Sequence, residues 1–148
     1  MYKHILVPTD GTELSKLAVQ CTLDLAKALG AKVTAVRVSG KPAHIVVFGV
    51  DITELPEDVR QRIDREIAQH LDWVRAEANA RGVDCEAIRV ESEQAWKGIL
   101  ETAEARGCDL IAMASHGRAG VAAKLLGSET KKVLTHSKIP VLVYRNET

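Results

Sequence analysis

Apolar positions along the chain follow two alternating periods, one typical of buried strands and the other typical of amphipathic helices. Short apolar runs predict five strands, at residues 4–7, 32–38, 83–90, 109–114 and 139–144. Between these runs, apolar residues recur with helical spacing and predict four helices, at residues 13–29, 57–81, 93–106 and 129–136. Strands and helices are therefore expected to alternate, with one irregular connection at residues 39–54.

The residues at the predicted helix boundaries are of types that favour helix ends. Thr12, Ser92 and Ser128 are expected to cap the first, third and fourth helices, because a hydroxyl oxygen accepts a hydrogen bond from an unpaired backbone N–H. Pro56, followed by two acidic residues, is typical of the start of the second helix. A single glycine follows each of the first three helices, at Gly30, Gly82 and Gly107.

The alternation of strands and helices restricts the fold. Strands that are separated by whole helices do not pair as hairpins, so they require parallel, right-handed crossovers. The sequence therefore predicts an α/β fold with a single open five-stranded parallel sheet and helices on both faces. We expect the strand order 3-2-1-4-5, and a single domain over residues 1–148, since no shift in composition indicates a second one.

Composition excludes several classes of function. Apolar residues make up 46% of the chain and charged residues 27%, and 20 basic residues balance 20 acidic ones. Proteins that bind nucleic acids or anionic membranes usually have a basic excess, and the apolar runs are shorter than a membrane span. We therefore expect no nucleic-acid partner and no membrane insertion. Without a signal-peptide pattern, we expect a cytoplasmic protein with free core thiols, at Cys21, Cys85 and Cys108.

The loop between Ala114 and Ser128 has the features of an anion-binding site. It leads into the last helix, whose first backbone N–H groups, near Glu129 and Thr130, have no acceptor within the helix. These donors and the positive end of the helix dipole favour a phosphate group. An ordinary strand-to-helix connection, punctuated by glycine and capped by serine, is the alternative interpretation.

Four residues inside this loop add to the same expectation. Gly127 has no side chain that could obstruct a ligand. Gly117 is expected to adopt a positive φ, which would turn its N–H toward the anion. Arg118 and Lys124 supply positive charge. Together these residues predict a phosphate site at the start of the last helix.

A second loop, Pro8-Thr9-Asp10, follows the first strand. With the strand order 3-2-1-4-5, this loop and the loop after the fourth strand meet where the strand order reverses, which is the usual ligand site of open α/β sheets. Asp10 would accept hydrogen bonds from sugar hydroxyls, while the opposite wall would donate to phosphates, so a nucleotide is the predicted ligand. The alternative is that Asp10 only forms a turn or caps a helix.

Two segments resemble the universal stress protein family, and the resemblance extends over nearly the whole chain. The opening Ile5-Leu6-Val7-Pro8-Thr9-Asp10 is similar to that family's first strand and loop. The late segment is similar to the motif Gly-x2-Gly-x9-Gly-Ser/Thr of its ATP-binding subgroup, with Ala114 in place of the first glycine. Gly117, Gly127 and Ser128 match the motif with the same spacing. The resemblance implies the adenine nucleotide alpha-hydrolase-like fold.

The resemblance also implies nucleotide contacts at twelve positions of this sequence. Backbone packing around adenine is implied for Pro8, Thr9 and Val38. Contacts with the base, the ribose or the passage to the phosphates are implied for Asp10, Met113 and Ala114. Phosphate binding is implied for Gly117, Arg118, Gly127, Ser128, Glu129 and Thr130. The carboxylate of Glu129 is expected to point outward, because a negative charge beside a triphosphate is unfavourable.

The function implied by the resemblance is stress-response regulation by a cytoplasmic homodimer that binds ATP, ADP or AMP, with or without magnesium. The dimer would form along the last strand, which begins at Ile139 and ends at Tyr144. This strand is apolar and lies at the expected sheet edge, where Pro140 is its only protection against pairing with another copy.

Enzymatic activity is not expected, because no catalytic or metal-binding constellation stands out. The sequence has neither a Walker A motif nor a Gly-x-Gly-x-x-Gly motif after the first strand. His116 has no metal-ligand partner at a suitable spacing, His70 and His136 are expected at surface or cap positions, and both tryptophans are expected to pack. Two alternatives remain: a nucleotide-free interaction module, and a very slow ATPase in which Asp10 or His116 orients water.

Overall fold

The computed structural model describes residues 1–40, 45–52, 56–117 and 125–145. Its main sheet has five parallel strands, β1 (His4–Pro8), β2 (Lys32–Ser39), β5 (Cys85–Glu91), β6 (Leu110–Ala114) and β7 (Val141–Tyr144). Their spatial order is β5-β2-β1-β6-β7. Counted along the main sheet alone, this is the predicted order 3-2-1-4-5, and the α/β prediction is confirmed.

Helices cover both faces of the sheet. Neighbouring residues of each strand point to opposite faces, so apolar residues on both faces pack against helices. The helices are α1 (Glu13–Leu29), α2 (Glu57–Arg81), α3 (Ala95–Ala105) and α4 (Ser128–His136). Ile5 and Val7 of β1 pack in a core cluster with residues of α1 and α2. Leu6 belongs to a second cluster with residues of α3 and α4. The two pairs of helices therefore lie on opposite faces of the sheet.

Two of the predicted N-caps are wrong. Thr12 does cap α1, and its side chain accepts a hydrogen bond from the N–H of Ser15. Ser92 does not cap α3, which begins later; its hydroxyl donates to the carbonyl of Gln94. Ser128 is the first residue of α4, and the N-cap is Gly127, which has no side chain to accept a bond. The start of α4 is thus not capped by a side chain.

The connection at residues 39–54 is not wholly irregular, as it contains an antiparallel hairpin of β3 (Ile45–Val47) and β4 (Val50–Ile52). Its two turn residues, Phe48 and Gly49, have φ values of 51° and 74°. Two consecutive positive φ values are the signature of a type I′ turn, which matches the twist of a two-residue hairpin. The sequence signal was weak because phenylalanine is rare at such a position.

The cysteines are free thiols, as predicted. Cys108 is buried, and Cys21 and Cys85 are half-buried. Burial raises the pKa of Cys85 and of Cys108 to about 11, so both thiols stay protonated at neutral pH.

Within the described residues, no helix is long and apolar enough to cross a bilayer.

Candidate functional site

A cavity of about 260 Å³ lies at the carboxyl ends of β1 and β6, where the strand order reverses. Eleven of the twelve predicted site residues line it: Pro8, Thr9, Asp10, Val38, Met113, Ala114, Gly117, Gly127, Ser128, Glu129 and Thr130. The twelfth, Arg118, lies outside the described residues, as does Lys124. The β1–α1 loop and the start of α4 therefore form two walls of one cavity.

Five further residues line the cavity but were not assigned to it from the sequence: Ser15, Val36, Ala95, Ile99 and His116. Val36 and Ile99 belong to the core cluster beneath the cavity and extend its apolar floor. Ser15 and Ala95 lie near the N-termini of α1 and α3. The predicted strand order could have indicated Ser15 and Ala95 as cavity residues, because helices begin at the carboxyl edge of a parallel sheet.

Asp10 is fixed at the start of α1 and also faces the cavity. Its Oδ1 accepts hydrogen bonds from the backbone N–H of Thr12 at 3.0 Å and from the Thr12 hydroxyl at 2.6 Å. Burial acts to raise the pKa of Asp10, but the bonds from Thr12 and Ser15 and the charge of Arg37 outweigh it, and the pKa falls below its ordinary value of 3.8. The cavity therefore contains a carboxylate at neutral pH. The turn interpretation of Asp10 is confirmed, and the residue also lines the cavity, while its contact with a nucleotide stays a prediction.

Gly117 lies against Asp10 from the opposite loop. A Cβ atom at position 117 would lie 2.6 Å from Oδ2 of Asp10, closer than real Cβ contacts come. The predicted positive φ is wrong, because Gly117 is not among the residues with positive φ. Glycine is favoured here by the close approach of the Asp10 side chain and not by a left-handed backbone.

Thr9 links the cavity to α2, which was not predicted to take part. Its Oγ1 lies 2.6 Å from Nε2 of His70 and 3.3 Å from the hydroxyl of Ser15. The His70 ring stacks on Trp73 with 5.5 Å between centroids. The prediction that His70 is a surface or cap residue is wrong, because the ring is half-buried and contacts a cavity residue. This hydrogen-bonded network fixes the Thr9 side chain.

The N-terminus of α4 is held against the end of β6. The N–H of Gly127 donates to the carbonyl of Ser115 at 2.8 Å, and the hydroxyl of Thr130 donates to the carbonyl of Ala114 at 3.1 Å. A Cβ at position 127 would lie 3.1 Å from the Cα of His116, so this approach also favours glycine. The first N–H groups of α4 have no acceptor within the helix and lie at the cavity wall.

The side chain of Glu129 was expected to point outward, and it is 41% exposed. The residue also lines the cavity, and its Oε2 accepts a hydrogen bond from the backbone N–H of Trp96 at 2.8 Å. Trp96 lies in the first turn of α3, whose N-cap, Gln94, makes no capping bond through its side chain. The carboxylate of Glu129 therefore serves as the cap that Ser92 was predicted to supply.

Ala114, which stands in place of the first glycine of the motif, lines the cavity and also packs in the core. The residue packs with Leu14, Ala18 and Tyr144 in a third small cluster on the α1 side of the sheet. Met113, the preceding residue, packs in the cluster of the opposite face. The alternation of side chains along β6 thus directs the extra methyl group into the core.

The described residues contain no cluster of three or more His, Cys, Asp or Glu side chains that could hold a metal ion.

Strand β7 lies at one edge of the main sheet. It begins at Val141, so the predicted start at Ile139 is too early. Leu142 on this strand is 38% exposed. A second, mainly apolar cavity of about 370 Å³ lies along this edge, between β7 and the end of α1.

Comparisons with known proteins agree with this architecture. The chain matches the model of the Universal stress protein family over residues 1–145. Universal stress protein YxiE of Bacillus subtilis (strain 168) is 31% identical over an alignment that covers 98% of this chain and 100% of the relative. The structure of MJ0577, from Methanocaldococcus jannaschii, has a TM-score of 0.78 and 28% identity, and the match covers 100% of this chain and 99% of that one.

A universal stress protein solved in complex with cAMP has a TM-score of 0.71 and 25% identity, with 97% of both chains covered. The family model spans almost all of the sequence, and the solved structures share its fold. This chain therefore belongs to the universal stress protein family.

Proposed function

We propose that this protein binds ATP or another adenine nucleotide in the cavity between the β1–α1 loop and the start of α4, and that occupancy regulates a stress response without rapid turnover. The observation that carries this proposal is the convergence of eleven residues, selected from the sequence, on one cavity. The solved relative in complex with cAMP supports an adenine-containing ligand.

The chemistry of the cavity wall suits the parts of a nucleotide. Val36, Val38, Ile99 and Met113 offer an apolar surface for a base. The Asp10 carboxylate accepts hydrogen bonds from ribose hydroxyls or from the exocyclic amine of adenine. The N–H groups at the start of α4 suit phosphate oxygens. Any magnesium ion would enter with the phosphates, since no described cluster of ligands could hold it alone.

The position of Ala114 argues against the nucleotide-free alternative. That alternative required the methyl group to close the phosphate passage, whereas Ala114 packs with Leu14 and Ala18 in the core. A slow ATPase would require Asp10 or His116 to orient water, and both residues line the cavity, but no contact among the described residues favours that role for either of them. Nucleotide-dependent regulation is therefore the function that the geometry supports best.

The first prediction is that millimolar ATP or AMP stabilises the purified protein, measured by calorimetric titration and thermal unfolding. A ligand present at about 100 times its dissociation constant should raise the free energy of unfolding by about 2.7 kcal/mol. Ribose 5-phosphate serves as the control that lacks the base. If neither nucleotide produced heat or raised the melting temperature, the proposed function would be wrong.

We further propose that two copies pair along β7. An exposed apolar edge strand is a template for pairing with another chain, and the neighbouring apolar cavity would bury more of that surface. We expect Leu142→Lys to convert a dimer to a monomer in sedimentation velocity, because it places a charge at the proposed interface. Leu17→Lys, at a helical leucine that is 44% exposed, is the matched control and should stay dimeric. A dimer that persists in Leu142→Lys would exclude this edge as the interface.

A further inference from the structure

Glu129 places a negative charge where the proposed phosphate site lies. It is the second residue of α4 and lines the cavity. The hydrogen bond from the N–H of Trp96 to its Oε2, at 2.8 Å, fixes the carboxylate between the N-termini of α3 and α4. This hydrogen bond holds the charge beside the start of α4, although the Glu129 side chain is 41% exposed.

The described part of the cavity wall has little positive charge to offset this carboxylate. Among the described residues that line the cavity, two are acidic, Asp10 and Glu129, and none is lysine or arginine. Lys132 lies 3.8 Å from Oε1 of Glu129, but both side chains are exposed by more than 40%, so water screens this pair. The basic loop residues Arg118 and Lys124 lie outside the described residues.

The N-terminus of α4 therefore acts on an anion in two opposing ways. Its N–H groups attract a phosphate, and this attraction falls off within the first turn of the helix. The Glu129 carboxylate repels each additional negative charge. Water at its exposed side weakens this repulsion, as it weakens the pair with Lys132, but the repulsion still grows with the charge of the ligand. Each further phosphate therefore adds repulsion from Glu129, whereas the attraction of the helix N–H groups does not grow in proportion.

We infer that Glu129 lowers the affinity of the cavity for adenosine triphosphate more than its affinity for adenosine monophosphates, and so selects against ligands with more phosphate groups. This inference rests on the proposed function and deepens it by naming the charge class of the ligand. Glu129 thus affects the choice of ligand through its negative charge. Its hydrogen bond to α3 needs only an oxygen atom, so a substitution can remove the charge and keep the bond.

The test compares adenosine, AMP and ATP by calorimetric titration, in buffer with a chelator to remove divalent cations, for the wild type and for Glu129→Gln. Glutamine keeps an oxygen that accepts the bond from Trp96, so α3 stays capped while the charge is removed. We expect the affinity for ATP to rise about tenfold, the affinity for AMP to rise about threefold and the affinity for adenosine to stay unchanged. The gain for ATP should shrink at high salt.

Glu101→Gln is the matched control, since Glu101 is an exposed acid on α3 that does not line the cavity. It should leave all three affinities unchanged. Equal changes for the three ligands in Glu129→Gln, or an unchanged ratio of ATP to AMP affinity, would overturn the inference while nucleotide binding itself stood. If the wild type bound none of adenosine, AMP and ATP, both the proposed function and this inference would be wrong.

Discussion

Replacement of Gly117 by alanine is expected to weaken adenine-nucleotide binding by at least tenfold. The added Cβ would lie 2.6 Å from Oδ2 of Asp10, so either the loop or the carboxylate has to move. The carboxylate has little freedom, because its Oδ1 accepts two hydrogen bonds from Thr12 at the start of α1. The clash therefore separates the two walls that the nucleotide is proposed to bridge.

The same substitution should change the stability of the fold by no more than about 1 kcal/mol, because Gly117 is exposed and the atom that has to move is the end of a side chain. Calorimetric titration with AMP measures the binding loss, and denaturant unfolding measures the stability. Gly40→Ala is the matched control, because a Cβ there meets nothing within 4 Å and the backbone φ is not positive. Wild-type affinity in Gly117→Ala would show that the contact with Asp10 does not shape the site.

A second variant separates the clash from the loss of a ligand contact. In Gly117→Ala combined with Asp10→Ala, the clashing carboxylate is absent, so part of the lost stability should return. Nucleotide binding should not return, because Asp10 is proposed to contact the ligand. Recovery of binding without Asp10 would assign the carboxylate to the turn at α1 alone.

The sheet was predictable because its signals are local. The apolar run of β1 is followed by apolar residues at helical spacing, and the same strand–helix pair recurs along the chain. Few sheet topologies are compatible with this order. The helix caps were less predictable. Ser92 is a good cap by type, but α3 begins three residues later and its N–H at Trp96 is satisfied by Glu129, which is 33 residues away in sequence. A residue-by-residue pattern does not reveal a cap that comes from another helix.

Most of the predicted site residues line one cavity, but the contacts that bring them together were not predictable. Gly117 lines the cavity, and its contact with Asp10 arises only when two distant loops meet. His70 was missed for the same reason, since its partner Thr9 lies 61 residues away. Sequence spacing places residues on elements, whereas side-chain partners between elements depend on the packing of α2 and the sheet.

The largest stability effect is expected for Ile111→Ala, at the centre of β6. Ile111 is fully buried, with 0% exposure, and β6 lies between β1 and β7, where Ile111 pairs with Leu6 and with Val141. Truncation of such a side chain removes transfer free energy and leaves a cavity, which costs about 2–5 kcal/mol. Denaturant unfolding should show this loss, whereas Ile63→Ala, at an isoleucine that is 38% exposed, should cost less than about 1 kcal/mol.

The same substitution also tests how the core supports the cavity. Ile111 shares its cluster with Ile99 and Met113, which line the cavity floor. A void beneath that floor should let both side chains shift, so nucleotide affinity should fall even though Ile111 does not line the cavity itself. If Ile111→Ala lost stability but kept wild-type affinity, the loops alone would define the binding geometry. If it cost no more stability than Ile63→Ala, this cluster would not be a principal source of the stability of the fold.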